Sequence, residues 1–145
     1  KLYERNPGNP LIEGYLGSSV ALAARDSNDS RVMFDNAIKA LDHLKHAVSR
    51  DGSNSKLRLL RAYVYYNLPE SFFHLSEKAS KDFKFLITAY EKDNSIFPEE
   101  CYWQILYDLG VCYERMYDNE KVKKVWEKLL KVSSDPKYKS LLNVK

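Results

Sequence analysis

Apolar residues along this chain recur every three to four positions, the period of a helix with one buried face. Leu11 to Ala24 carries Ile12, Leu16, Val20, Ala23 and Ala24, opened by Pro10, a residue suited to a first helical turn. Val32 to Val48 carries Phe34, Ala37, Ile38, Leu41, Leu44, Ala47 and Val48 and closes at Asp51-Gly52. Helices are expected next over Leu57 to Asn67, Ser71 to Tyr90, Pro98 to Met116 and Glu120 to Val132. A short one starts at Asp135-Pro136 and buries Tyr138, Leu141 and Leu142. Nowhere does strict alternation of apolar and polar residues continue with β-branched side chains, so strands are not expected. The pattern predicts an all-α protein of six helices in three pairs, followed by a cap.

Helix pairs invite a search for internal repeats. Leu106, Leu109-Gly110 and Tyr113 are followed by Val122, Trp126 and Leu129. The same columns recur as Ile12, Leu16-Gly17 and Val20 with Ala40, Leu44, Ala47 and Val48. They recur again as Leu57, Ala62 and Tyr65 with Ala79, Phe83, Leu86 and Ile87. A small column (Gly17, Ala62, Gly110) lets two helices approach closely, and Ala40, Ala79 and Val122 serve the same packing from the second helix. A large column (Leu44, Phe83, Trp126) fills space between neighbours.

This arrangement resembles the tetratricopeptide repeat, whose pattern is W-x2-L-G-x2-Y, then A-x3-F, then P, over about 34 residues. The first two pairs lack the tryptophan. Gly17 and Ala62 lie 45 residues apart and Ala62 and Gly110 lie 48 apart, so insertions are placed near 25–35, 68–74 and 91–102. Phe34, Ala37, Ile38, Phe72 and Phe73 continue the helical period, so these insertions are expected to be extra helical turns and short connectors. The resemblance implies a single domain over 1–145, an α-solenoid of three helix-turn-helix repeats (10–52, 55–91 and 103–134) with a C-terminal capping helix over 135–145. Leu2, Tyr3 and Pro7 match the end of an earlier helix, so residues 1–7 are expected to close a helix that begins upstream. What precedes it would be further repeats, a signal peptide or a membrane anchor, which leaves the compartment open.

Charge narrows the function. Twenty-three basic against twenty acidic residues gives a formal +3, with the two signs interspersed. That is the surface of solvated helices and no footprint for nucleic acid. No apolar run reaches the roughly 18 residues of a membrane span. The cysteines, Cys101 and Cys112, lie about 16 Å apart along one helix and cannot bridge; Cys112 sits in a small apolar column and is expected to be buried. His43 and His46 are three apart beside Asp42, but a zinc site needs a third or fourth ligand and none is near in sequence. They are expected to face outward from the helix. No phosphate-binding loop, nucleophile elbow or paired-histidine metalloprotease motif is present. No enzyme, cofactor or metal site is expected.

Eleven tyrosines, six phenylalanines and two tryptophans are the strongest functional signal. Tyrosine joins a large apolar face to a polar tip, which suits partner surfaces. The resemblance places the first helix of each pair along a concave groove. Its matching positions are Leu11, Tyr15 and Ser18, then Leu59, Tyr63, Tyr66 and Asn67, then Gln104, Tyr107, Asp108, Val111, Glu114 and Arg115. The expected peptide- or protein-binding residues are Tyr15, Tyr63, Tyr66, Asn67, Gln104, Tyr107 and Arg115; Tyr65 and Tyr113 are expected in the core. The lysine and asparagine clamp that such repeats use for chaperone tails is absent, since its positions read Gly14/Ser18, Leu59/Tyr63 and Tyr107/Val111. The expected function is a non-enzymatic scaffold that holds a protein segment. The alternatives are a self-assembling, homo-oligomeric module and a regulatory domain of a larger membrane-anchored or exported protein.

Overall fold

The computed structural model describes residues 8–143. The upstream helix end expected over 1–7 lies outside the described residues. Among those described, the chain is all-helical: α1 (Pro10–Arg25), α2 (Ser30–Arg50), α3 (Ser55–Asn67), α4 (Glu70–Phe73), α5 (Ser76–Lys92), α6 (Glu99–Arg115), α7 (Asn119–Val132) and α8 (Pro136–Asn143). The six long helices and the final short one fall where the apolar period places them. One boundary differs. The helix expected over 71–90 is broken at His74, whose φ of 50° lies in the left-handed region, so Phe72 and Phe73 belong to the separate turn α4.

Polar residues start the helices. Asn9 accepts from the N–H groups of Leu11 and Ile12 at 3.0 and 3.4 Å. Asp29 does the same for Arg31 and Val32, and Asn54 for Lys56 and Leu57. Asp118 caps α7 through Lys121. Each cap satisfies backbone donors that have no partner inside the helix.

The chain resolves into two compact units, residues 1–75 and 76–145. The division falls inside the 55–91 stretch assigned to the second repeat, between α3 and α5.

In the N-terminal unit α1 runs antiparallel to α2. Gly17 lies under Leu44 and the carbonyl of Ala40, so close that a Cβ there would stand 2.9 Å from Leu44 Cγ and 3.1 Å from Ala40 O. Gly14 gives the same closeness to α3, where an added Cβ would meet Leu57 Cδ2 at 2.5 Å. Ala47, Val48 and Leu57 form a buried cluster, with Leu11 packed against it.

In the C-terminal unit Phe83, Leu86, Ile105, Leu106, Cys112, Leu129 and Trp126 are buried. Here α6 runs antiparallel to α7, and the Trp126 indole lies over Gly110, where a Cβ would overlap the ring and stand 2.6 Å from Cδ1. Tyr113 here, and Tyr65 in the N-terminal unit, are buried, as expected. The lysine cluster at the start of α7 is matched by acids: Lys121 with Asp118 at 3.0 Å, Lys124 with Glu120 at 3.0 Å and Lys123 with Glu127 at 4.0 Å.

Candidate functional site

The N-terminal unit carries a cleft between α1 and α3. These two helices touch at Gly14 and Leu57 near their N-termini. Both then continue in the same direction, and a cavity of about 270 Å³ opens between their later turns. From α1 it is lined by Ser18, Ala21, Leu22 and Arg25, and from α3 by Leu59, Leu60, Tyr63, Val64 and Asn67 with Leu68 beyond. The spacing Ser18, Ala21, Leu22, Arg25 is one helical stripe, and so is Leu59, Leu60, Tyr63, Val64, Asn67. Ala21, Val64 and Leu68 are buried and make the floor, while Leu22 is 50% exposed at the lip. Small Ala21 leaves the space that a larger residue would fill. Arg25 binds Asp26 through Nε at 2.9 Å, and that hydrogen bond holds the Asp26 carboxyl below the ordinary carboxylate value.

Among the expected groove positions, Ser18, Leu59, Tyr63 and Asn67 line this cleft. Tyr66 does not line it but packs edge-on against Tyr63, ring centroids 5.9 Å apart. Tyr15 stands 53% exposed on α1, one turn before Ser18. Ala21, Leu22, Arg25, Leu60, Val64 and Leu68 were not among the expected residues.

The remaining expected residues lie in the C-terminal unit. Tyr107 stacks on Trp126, centroids 5.8 Å apart, and meets Tyr138 of α8 at 6.1 Å. Trp126 Nε1 donates to the Tyr107 carbonyl at 3.2 Å. Gln104 donates through Nε2 to Asp108 Oδ1 at 3.1 Å, and its carbonyl oxygen accepts from the Tyr138 hydroxyl at 3.3 Å. Gln104 and Tyr107 are thus engaged by the chain's own C-terminal helix. Arg115 is half-buried in the last turn of α6.

Two polar clusters were not expected. Glu13, only 3% exposed, accepts from His46 Nδ1 at 2.8 Å and faces His43 Nδ1 at 3.4 Å. His46 is exposed and His43 half-buried, on the helix surface as expected, and both also reach across the α1/α2 contact to a carboxylate that sequence distance hides. Among the described residues no group of three or more histidine, cysteine, aspartate or glutamate side chains is placed to hold a metal ion. In the other unit, Glu91 accepts from Lys128 Nζ and, at 2.8 Å, from the Tyr102 hydroxyl. The Lys128 hydrogen bond holds Glu91 below the usual carboxylate range. Burial, then the bond to Glu91, pushes the Tyr102 phenol well above its usual value. Cys101 and Cys112 are both free thiols, and burial raises Cys101, the reverse of nucleophile activation.

Set against protein-family models, curated proteins and solved structures, the chain matches none of them. Among the described residues no helix is long and apolar enough to cross a membrane.

Proposed function

We propose that the chain is a non-enzymatic binding module that holds an apolar protein segment in the α1/α3 cleft. The observation that carries this reading is the cleft itself: an apolar floor, a half-buried tyrosine and a few polar groups at one end. This is how a binding site differs from a surface hollow. The tetratricopeptide resemblance belongs to the same proposal. It is supported in the N-terminal unit by α1 and α3 running alike beside an antiparallel α2, with glycines at the close contacts. In that architecture first helices line the binding surface, and the cleft is made by two of them.

The test is to select binders from a random peptide library and measure them against Tyr63→Ala and Leu22→Ser, with Thr88→Ala on α5 as a control. An aromatic anchor is worth about 2 kcal/mol, roughly 30-fold in affinity. Tyr63→Ala should lose about that much and Leu22→Ser less, with the control unchanged. Folded variants that bind as well as the unaltered chain would remove the cleft from consideration. The second reading, self-association, would then gain ground. It is favoured by the exposed apolar residues Phe72, Phe34 and Ile38, Phe34 being stacked on Phe73. Concentration-dependent sedimentation would detect it.

A further inference from the structure

Tyr138 is the main anchor of helix α8. In α8 only Tyr138 is buried, at 1% exposure, whereas Pro136, Lys137, Lys139, Ser140, Leu141 and Asn143 are exposed and Leu142 is half-buried. A helix of eight residues is far below the length that is stable by itself in water. Its position therefore depends on the Tyr138 ring against Tyr107 and on the hydroxyl contact to Gln104. The receiving surface does not depend on α8 in the same way. Tyr107 is backed by Trp126, whose indole lies on Gly110 and donates to the Tyr107 carbonyl. Gln104 is oriented by Asp108, itself buried. The surface is made by side chains of α6 and α7 that hold one another, and the α8 side chain buried on it is Tyr138.

We propose that the Gln104/Tyr107/Trp126 face of α6 and α7 is a tyrosine-accepting binding site and that α8 is its resident, displaceable occupant. The partner it fits is a short segment presenting a tyrosine, as α8 does. The ring lies against Tyr107, and the phenol hydroxyl donates to the Gln104 carbonyl oxygen. At 3.3 Å that hydroxyl contact is long, so the ring carries most of the recognition and phenylalanine is a partial substitute. Such a partner binds only when α8 leaves, which makes the C-terminal helix an internal competitor. This site is separate from the α1/α3 cleft and stands whether or not that cleft binds anything.

Two measurements test it. In the unaltered chain, backbone amides of 139–143 should exchange with solvent through local opening, at least a hundredfold faster than those of 105–113. Equal protection of the two stretches would mean that α8 is an integral part of the unit, and would overturn the proposal. In the second, a fluorescently labelled peptide of residues 134–145 is titrated into the full chain and into its Tyr138→Ala variant. The variant, its site vacated, should bind the peptide at least tenfold more tightly than the unaltered chain. A peptide with alanine for its tyrosine should lose that gain, and one with phenylalanine should keep part of it. A variant that loses its helical circular dichroism overturns the proposal, because Tyr138 is then core. So does a folded variant that binds no better, or one that binds the alanine peptide equally well.

Discussion

The two units solve one packing problem with different partners. In each, a glycine in the first helix of an antiparallel pair brings the second helix close. Gly17 faces aliphatic Leu44 and the backbone of Ala40, whereas Gly110 faces the flat indole of Trp126. Leu44 Cγ, the Ala40 carbonyl and His43 Cβ need give by only a few tenths of an ångström, which slight sliding of the helices supplies. The indole cannot give way, because it is stacked on Tyr107 and hydrogen-bonded to the Tyr107 carbonyl. Aromatic packing makes the C-terminal contact specific and intolerant, and aliphatic packing makes the N-terminal one adaptable. The same aromatic set gives Tyr138 a surface to rest on, so the rigidity of the α6/α7 contact bears directly on the proposed site.

The sharpest way to break this comparison is Gly110→Ala. The new methyl would occupy the indole, so Trp126 must leave its place, at a cost of about 3 kcal/mol, the upper end of overpacking. A thermal or urea melt should show it. Combining Gly110→Ala with Trp126→Leu should recover part of the loss, since the ring that clashes is gone. Equal stability of Gly110→Ala and the unaltered chain would mean that the indole is not seated as described. Gly17→Ala is the matched change in the other unit. Its methyl would meet Leu44 Cγ at 2.9 Å and the Ala40 carbonyl at 3.1 Å, a milder crowding. Alanine also gains about 1 kcal/mol in helix propensity over glycine. The net loss should be about 1 kcal/mol, clearly smaller than at Gly110. A loss as large as at Gly110 would erase the distinction between the two contacts.

Both glycines were legible in the sequence, because a small residue repeating at a fixed place in an apolar pattern has a packing meaning wherever the helices lie. The helices themselves were legible for the same reason. The break at His74 was not: Phe72 and Phe73 keep the helical period, and a left-handed backbone at one residue leaves no trace in apolar spacing. For the candidate cleft, Ser18, Leu59, Tyr63 and Asn67 were found, but Ala21, Leu22 and Arg25 were not. Where two helices begin to part depends on the Gly14–Leu57 contact, which joins residues 43 positions apart. Gln104 and Tyr107 were expected in a partner groove, whereas the chain's own Tyr138 lies on them, a placement that depends on the turn at 133–135. Glu13 has no local signal in the sequence, because its histidines arrive thirty residues later.

Each unit also ties a glutamate across helices, and the difference between the two ties sets the smallest expected effect. Glu13 is buried and faces two histidines, whereas the Glu91 side chain is 42% exposed and holds Lys128 of α7 and Tyr102 of α6. The Lys128 hydrogen bond depresses the Glu91 carboxyl below its ordinary value of 4.5. A carboxyl whose folded value is depressed stabilises the fold above the unfolded value, and that contribution disappears as pH falls through the folded one. Solvent screening of so exposed a pair keeps it below about 1 kcal/mol. Glu91→Gln should therefore lower the melting temperature slightly at pH 7, and the gap between variant and unaltered chain should close as pH is brought well below 4.5. Melts at pH 7 and pH 3 measure it. A gap that persists unchanged at pH 3 would assign the loss to the Tyr102 hydrogen bond and to packing. The charge on Glu91 would then contribute nothing, and its tie to α7 would be a contact of shape alone.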